Sequence, residues 1–565
     1  MIPFDDHSWW RRAVVYQVYP RSFADSNNDG TGDVQGIIDR LPHLVSLNVD
    51  ALWVSPWYPS PMADGGYDVA DYCDIAPEFG TLADADRLIA AAHEQGIRVI
   101  IDLVPNHSSN AHRWFREALA AAPGSPERDR YIFRDGRGPN GDEPPTNWGS
   151  VFGGSAWERV VEPDGTPGQW YLHMFAPEQP DWNWDNAEVV EEFDRVLRFW
   201  FDRGVDGFRI DVGDSMVVHP EYYEVPIDPL TGFGTIEKFE GHPLWDQPGL
   251  VDIQRRWRAI ADEYGPTAMG ARVFVSEAYL PVDRLVRYVS SGRLHTSFNF
   301  EFLLSAWDAG SLKTVIDTSL KAHRSVGAPT TWVLNNHDVV RSVTRYGKPV
   351  TGRTFRSDAD ENQDDPHWME KMAAGSTDVD LGRRRARAAA TLMFALPGGA
   401  YLYQGEELGL AEVEDIPDDL LQDPIWERSG HTVRGRDGCR VPIPWSGTTP
   451  PFGFGRDAEP WLPQPAGWAS FTVEREDADP ASMLSLYRAL LAERRTNPAL
   501  GEGDGLLTWD AAPAGVLSFT REPGFRCVVN LSEAEVDLPE GEVLVASVPL
   551  SGRTLPVDAA AWLRA

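Results

Sequence analysis

Cysteine is nearly absent. Cys73, Cys439 and Cys527 are the three in 565 residues. They are odd in number and far apart, which argues against a disulfide framework or a cysteine-held metal and for a reducing, cytoplasmic setting. No apolar run approaches the roughly 18 residues that span a bilayer. Met1 to Arg12 has no apolar secretory core. Basic side chains are short: 51 Lys and Arg stand against 86 Asp and Glu, a formal net charge of −35. Such a surface repels nucleic acid and anionic membranes, so neither is expected as a partner. The charge otherwise serves solubility.

What the chain does have is length, apolar residues and tryptophan. With 565 residues, 42% of them hydrophobic, it exceeds one core and implies several domains. Its 22 tryptophans supply flat faces of the kind that stack on sugar rings, although most belong in a core.

Apolar runs rich in β-branched and aromatic residues recur at 13–19, 51–55, 97–104, 205–212, 272–277, 296–300, 332–335 and 400–404. Helical patterns separate several of them, as at 36–47, 82–94 and 187–203. Eight strands alternating with helices predict a (β/α)8 barrel, residues 1–104 forming its first part and 175–499 its second. The rhythm breaks at 105–174, which is polar and rich in Pro and Gly and reads as an inserted small domain. Residues 341–382 and 411–466 read as irregular loops at one barrel face. A helix over 481–494 precedes short strand-like runs at 516–520, 526–530 and 542–547, so 500–565 reads as an all-β domain.

Polar residues gather where the strands end: Asn106 and His107, Arg209 and Asp211, Glu277, and Asn336, His337 and Asp338. In a barrel those ends converge on one face, where active sites lie. Arg209 and Asp211 are two apart on a strand and leave it on the same side. A guanidinium beside a carboxylate favours its ionised form, as a nucleophile requires. Three carboxylates, two histidines and an arginine in one bowl suit retaining glycoside hydrolysis, in which one carboxylate attacks and a second donates and then accepts a proton. Earlier in the chain, Asp25, Asn27, Asp29, Thr31 and Asp33 place oxygens at positions 1, 3, 5, 7 and 9 of an EF-hand-type loop, with Gly30 at position 6. Gly36 stands where the bidentate Glu belongs. A plain Asx-rich turn explains the same residues; we expect a cation.

These stretches resemble the α-amylase family of glycoside hydrolases (family 13), most closely its exo-acting α-glucosidase and oligo-1,6-glucosidase branch. The likeness is carried in order by Asp102-Leu-Val-Pro-Asn-His107, Gln179–Asn186, Gly207-Phe-Arg-Ile-Asp211, Val275-Ser-Glu277, Asn335-Asn-His-Asp338 and Gly399–Glu407. The resemblance implies that Asp211 is the nucleophile, Glu277 the acid/base and Asp338 the transition-state stabiliser. It implies that Arg209 orients Asp211, that His107 and His337 hold sugar hydroxyls, and that Tyr67 stacks under the ring. Asp64 and Arg440 would close the far end of the pocket, with Arg436 the second choice, and Phe152 and Phe175 would be walls. A closed pocket admits chain ends only. The resemblance further implies a structural Ca2+ or Mg2+ in the Asp25–Asp33 loop and no cofactor for the chemistry. Val212 after the nucleophile is the residue type that goes with α-1,6 linkages in this branch, yet Gly213-Asp214-Ser215 departs from the usual continuation. The expected substrate is a short α-glucoside, leaning α-1,4; an α-1,6 preference, a transglucosylase or a sucrose-acting enzyme are the alternatives. Monomer and homo-oligomer are both left open.

Overall fold

The computed structural model describes residues 8–229, 231–355, 372–373, 375–501 and 506–564. Its centre is a ring of eight parallel strands: Val14–Val18, Ala51–Val54, Arg98–Leu103, Gly207–Ile210, Val273–Ser276, Thr296–Ser297, Thr331–Val333 and Gly399–Tyr403. The last strand pairs with the first through Val14 and Ala400. A single bridge, Phe298 to Thr331, joins the sixth to the seventh and completes the ring. Every residue of the eight strands is buried. Helices cover the outside and side chains fill the inside, so barrel strands have no solvent face and read as continuous apolar runs.

The helices start where their side chains can satisfy free amides. Asp33 caps Val34–Ser46, Asn186 caps Ala187–Asp202, and Thr81 and Asp84 form a capping box on Leu82–Glu94. The sixth strand is shorter than its apolar run predicts. Asn299 accepts from the Phe302 amide and turns the chain into the helix Phe300–Leu304, so the strand ends at Ser297 and only the Phe298 bridge continues it.

Between the third and fourth barrel strands stands a small antiparallel sheet of Phe133–Arg134, Pro167–Leu172 and Trp157–Val161. The C-terminal part is a five-stranded antiparallel sheet ordered Thr508–Trp509, Val516–Arg521, Phe525–Asn530, Ala559–Arg564 and Glu542–Ala546. Trp562 fastens it to the barrel by donating to the Thr391 carbonyl at 2.8 Å. The two segments expected to be irregular are partly helical: Ser342–Tyr346 and the start of Val379–Ala395 fall in the first, Pro424–Arg428 and Asp437–Arg440 in the second. Residues 356–371 and 374 of the first lie outside the described residues, as do 1–7 of the N-terminal stretch and 502–505 of the C-terminal part. Among the described residues no helix is long and apolar enough to cross a membrane, and the three cysteines are free thiols.

Candidate active site

Asp211 stands one residue past the fourth strand, its amide donating to the Leu103 carbonyl at 2.9 Å. The chain then turns sharply. Val212 has φ 42°, the left-handed region that a β-branched residue enters only under strain. The turn points the Val212 amide at Glu277 Oε2, 3.2 Å away, and the Gly213 amide at the Glu277 carbonyl, 2.8 Å away. A side chain at Gly213 would bring its Cβ within 2.5 Å of Ser276 Oγ, so the close approach of the two strand ends needs glycine.

Arg209 gathers the carboxylates. Its Nη1 donates to Asp211 Oδ1 at 2.6 Å and to Asp102 Oδ1 at 2.8 Å, and its Nη2 donates to Glu277 Oε2. Asp102 is the register partner of Arg209 on the neighbouring strand and also accepts from Trp53 Nε1 and Tyr67 Oη, each at 3.1 Å. Burial raises the Asp102 carboxyl to about 6, against the pull of Arg209. Burial also pushes Asp211 well above the usual carboxylate range; Arg209 lowers it, and Glu277 and Asp102 raise it further. Arg209 thus favours the ionised form of both, as expected from the sequence, and burial works against it.

Asp338 lies opposite and is held differently. Its Oδ1 accepts from Arg440 Nη2 at 3.0 Å and Arg436 Nη1 at 3.1 Å. Burial opposes its charge, but Arg436, Arg440 and Arg209 together hold it well below the usual range. Burial pushes the His337 imidazole well below its ordinary value, so the ring is neutral. Gln17 Nε2, which also donates to Ser55, sits 2.7 Å from His337 Nδ1. With the Gln17 amide so oriented, Nδ1 is the acceptor and the proton is on Nε2, which makes no hydrogen bond among the described residues and lies 3.3 Å from Asp338 Oδ2. Tyr67 stacks on the same ring at 5.1 Å and 8°.

The far wall is built from Asp64, His107, Phe152 and Phe175. Gln179 Nε2 donates to Asp64 Oδ2 and approaches His107 Nε2, each at 3.0 Å. Burial lowers His107 to about 3, leaving it neutral. Its ring meets Phe175 at 5.2 Å, and Phe175 meets Phe152 at 5.5 Å. One expectation is corrected here. The cation paired with Asp64 is Arg436, at 2.6 Å, and not Arg440. Arg436 is steered there by Asp423, which accepts from its Nε at 2.5 Å and from its amide at 2.8 Å, while Arg440 Nε is taken by the His337 carbonyl at 2.9 Å. Arg436 also lies over the Phe152 ring at 5.1 Å.

Sequence reasoning assigned no role to Asp102, Gln179, Gln17 or Asp423. An Asp inside the strand Arg98–Leu103, opposite Arg209, was the signal for the first; the others depend on tertiary approach.

The Asp25–Asp33 loop is a separate structure. Asp25 accepts from the amides of Asn28, Asp29 and Gly30, Asp29 from Thr31 and Asn27, and Asp33 from Ser26, Asn27 and Gly36. The carboxylates are turned to their own backbone. Among the described residues no group of three or more His, Cys, Asp or Glu side chains is placed to hold a metal ion. These hydrogen bonds are those of an Asx-rich turn, and no cation enters the chemistry below.

A barrel whose strand ends deliver three buried carboxylates around one guanidinium defines a glycoside hydrolase. The model of the α-amylase catalytic domain matches residues 17–361 and 361–503, and the chain belongs to that family. It is 39% identical over 94% of its length to a probable α-glucosidase of Rhizobium meliloti, covering 92% of that protein. It is 34% identical to an oligo-1,6-glucosidase of Heyndrickxia coagulans, over 88% of this chain and 86% of that one. Among solved structures, the α-glucosyl transfer enzyme XgtA superposes with a TM-score of 0.80 at 36% identity, over 98% of this chain and 99% of that one.

Proposed function

We propose that the protein is a retaining exo-α-glucosidase that releases glucose from the non-reducing end of short α-glucosides, leaning to α-1,4 linkages. The observation that carries this reading is the shared guanidinium. Arg209 donates to both Asp211 and Glu277, and two carboxyls held on one guanidinium suit the short separation of a retaining enzyme better than the wider one that leaves room for water. Retaining enzymes keep them about 5 Å apart and inverting ones about 6.5–9.5 Å.

In the first step an oxygen of Asp211 attacks the anomeric carbon while the glycosidic oxygen leaves, taking a proton from Glu277. That step needs a proton on Glu277 and the charge on Asp211; Arg209 Nη1, donating to Asp211 Oδ1, favours the charge on the nucleophile. In the second step Glu277, now ionised, takes a proton from water, whose oxygen attacks the same carbon and frees the Asp211 carboxylate. Asp338, kept ionised by its arginines, faces the positive charge that develops on the ring. His337 Nε2–H, beside Asp338 Oδ2, is a donor for a sugar hydroxyl. The Asp64–Arg436 pair, beside Phe152, closes the end of the pocket.

The linkage is tested by initial rates on maltose and isomaltose at equal concentration. Faster maltose cleavage with glucose as the main product supports the α-1,4 reading. Faster isomaltose cleavage replaces it with the α-1,6 reading that Val212 favours. Early appearance of larger products replaces hydrolysis with glucosyl transfer, the activity for which XgtA is named. The EF-hand-type spacing at Asp25–Asp33 keeps a structural Ca2+ or Mg2+ as a proposal, resting on the sequence alone.

A further inference from the structure

Phe152 and Arg436, which meet at the Asp64 wall, come from segments far apart in sequence. Phe152 belongs to the inserted domain and sits at the tip of a tight turn. The Ser150 amide donates to the Gly154 carbonyl at 2.9 Å, and the Gly153 amide to the Ser150 carbonyl at 3.0 Å. Gly153 and Gly154 both have positive φ, 96° and 81°. Arg436 comes from the loop after the eighth barrel strand, and its guanidinium lies over the Phe152 ring. The short helix Pro424–Arg428 reaches both segments. At its start, Asp423 Oδ1 accepts from the Ile425 amide at 3.0 Å while Oδ2 holds Arg436. At its end, Arg428 Nη2 donates to the Gly153 carbonyl, next in the chain to Phe152. A Cβ on Gly154 would stand 3.2 Å from that nitrogen, so the turn presses close against the guanidinium. Glu158 of the inserted domain and Glu178 just after it also attract the Arg428 charge.

We propose that Arg428 is a positioning residue for the closed end of the pocket. It latches the Phe152 turn to the helix whose first residues hold Arg436, and so fixes the Phe152 ring against the Arg436–Asp64 pair. The inference rests on the exo-glucosidase reading and adds to it the residue that keeps the two walls together. A turn with two successive glycines at positive φ is conformationally permissive, so its own sequence does not fix where its tip stands. A charged donor on a carbonyl makes a stronger hydrogen bond than a neutral one and is suited to fixing it. The reacting carboxyls are held separately, by Arg209 on the barrel strands. Loosening the latch therefore weakens the grip on the sugar while the bond-breaking groups stay aligned, and the loss falls on binding rather than on turnover.

The test is Arg428→Met, which keeps the stem and removes the donors. KM and kcat are measured on p-nitrophenyl α-glucoside, together with Ki for glucose and Tm. We expect KM and Ki to rise together by about tenfold while kcat stays within about threefold of wild type. Arg428→Lys, which keeps a charged donor, should recover much of the loss. A folded Met variant with KM and Ki within about twofold of wild type overturns the proposal, whatever its Tm, and leaves the contact a structural one. A double-variant cycle with Phe152→Leu checks the route. If Arg428 acts through Phe152, the double variant should match Phe152→Leu alone in Ki, and losses that simply add overturn the proposal. Arg428→Gln, too short to span the same gap, makes both comparisons if the Met variant does not fold. A wild-type protein that neither cleaves p-nitrophenyl α-glucoside nor binds glucose in calorimetry overturns the exo-glucosidase reading instead, which separates the two failures.

Discussion

Replacing Arg209 by lysine is the perturbation for which the structure gives the clearest arithmetic. The guanidinium donates to Asp102, Asp211 and Glu277 at once, and a lysine ammonium is a single point that cannot reach all three. Opposite unit charges about 4 Å apart interact by about 4 kcal/mol at an effective dielectric of about 20, and by about 2.8 kcal/mol at about 6 Å. If the ammonium settles toward Asp102 and recedes from Asp211 by about 2 Å, Asp211 loses about 1.2 kcal/mol, or about one pKa unit. The sign is fixed: less positive charge raises the pKa of the nucleophile, which must be ionised to attack. The acidic limb of the kcat/KM profile on p-nitrophenyl α-glucoside should therefore move up by about one unit. The rate at the optimum should fall by a hundredfold or more as the carboxyls lose their alignment. Circular dichroism verifies the fold. A folded variant whose acidic limb stays where the wild type has it would refute the reasoning, because Arg209 would then not set the ionisation of Asp211.

Three further outcomes follow from other parts of the molecule. Arg436→Ala leaves Asp64 and Asp423 without their shared cation, so Ki for glucose should rise about tenfold or more; an unchanged Ki would remove Arg436 from the closed end of the pocket. Glu406 is buried under Tyr487, with its carboxyl raised to about 7 mainly by burial. A raised acid favours the folded state below its unfolded value and loses that contribution as pH climbs from about 4.5 to about 7. Glu406→Gln should therefore flatten the fall of Tm between pH 5 and pH 8, and a slope equal to wild type would show that Glu406 is ionised throughout. Removing Ca2+ and Mg2+ with a chelator should lower Tm while leaving turnover at low temperature nearly unchanged if the Asp25–Asp33 loop holds a structural ion. An unchanged Tm would leave that loop as the Asx turn its hydrogen bonds describe.

The sequence made the barrel readable because its strands are buried on both sides. Runs such as Val14–Val18 and Arg98–Leu103 are apolar without alternation, and the polar residues that interrupt them sit at their ends, where a barrel puts chemistry. Asp211, Glu277 and Asp338 were legible for that reason. Asp102 was not, because inside a strand it looks like an error in the pattern until Arg209 is placed beside it. The choice between Arg436 and Arg440 is not legible either, since both stand in one short helical turn and only Asp423, thirteen residues before Arg436, decides which one reaches Asp64. The sixth strand reads too long because Phe298 and Phe300 suit strand and helix equally, and the Asn299 cap settles it.

The central claim is double displacement through Asp211, and the anomer released first tests it most directly. Proton NMR of maltose or isomaltose hydrolysis, recorded before mutarotation, should show α-glucose appearing ahead of the β anomer. β-Glucose as the first product would mean a single inverting displacement, with Asp211 and Glu277 farther apart in the working enzyme than their shared hold on Arg209 allows.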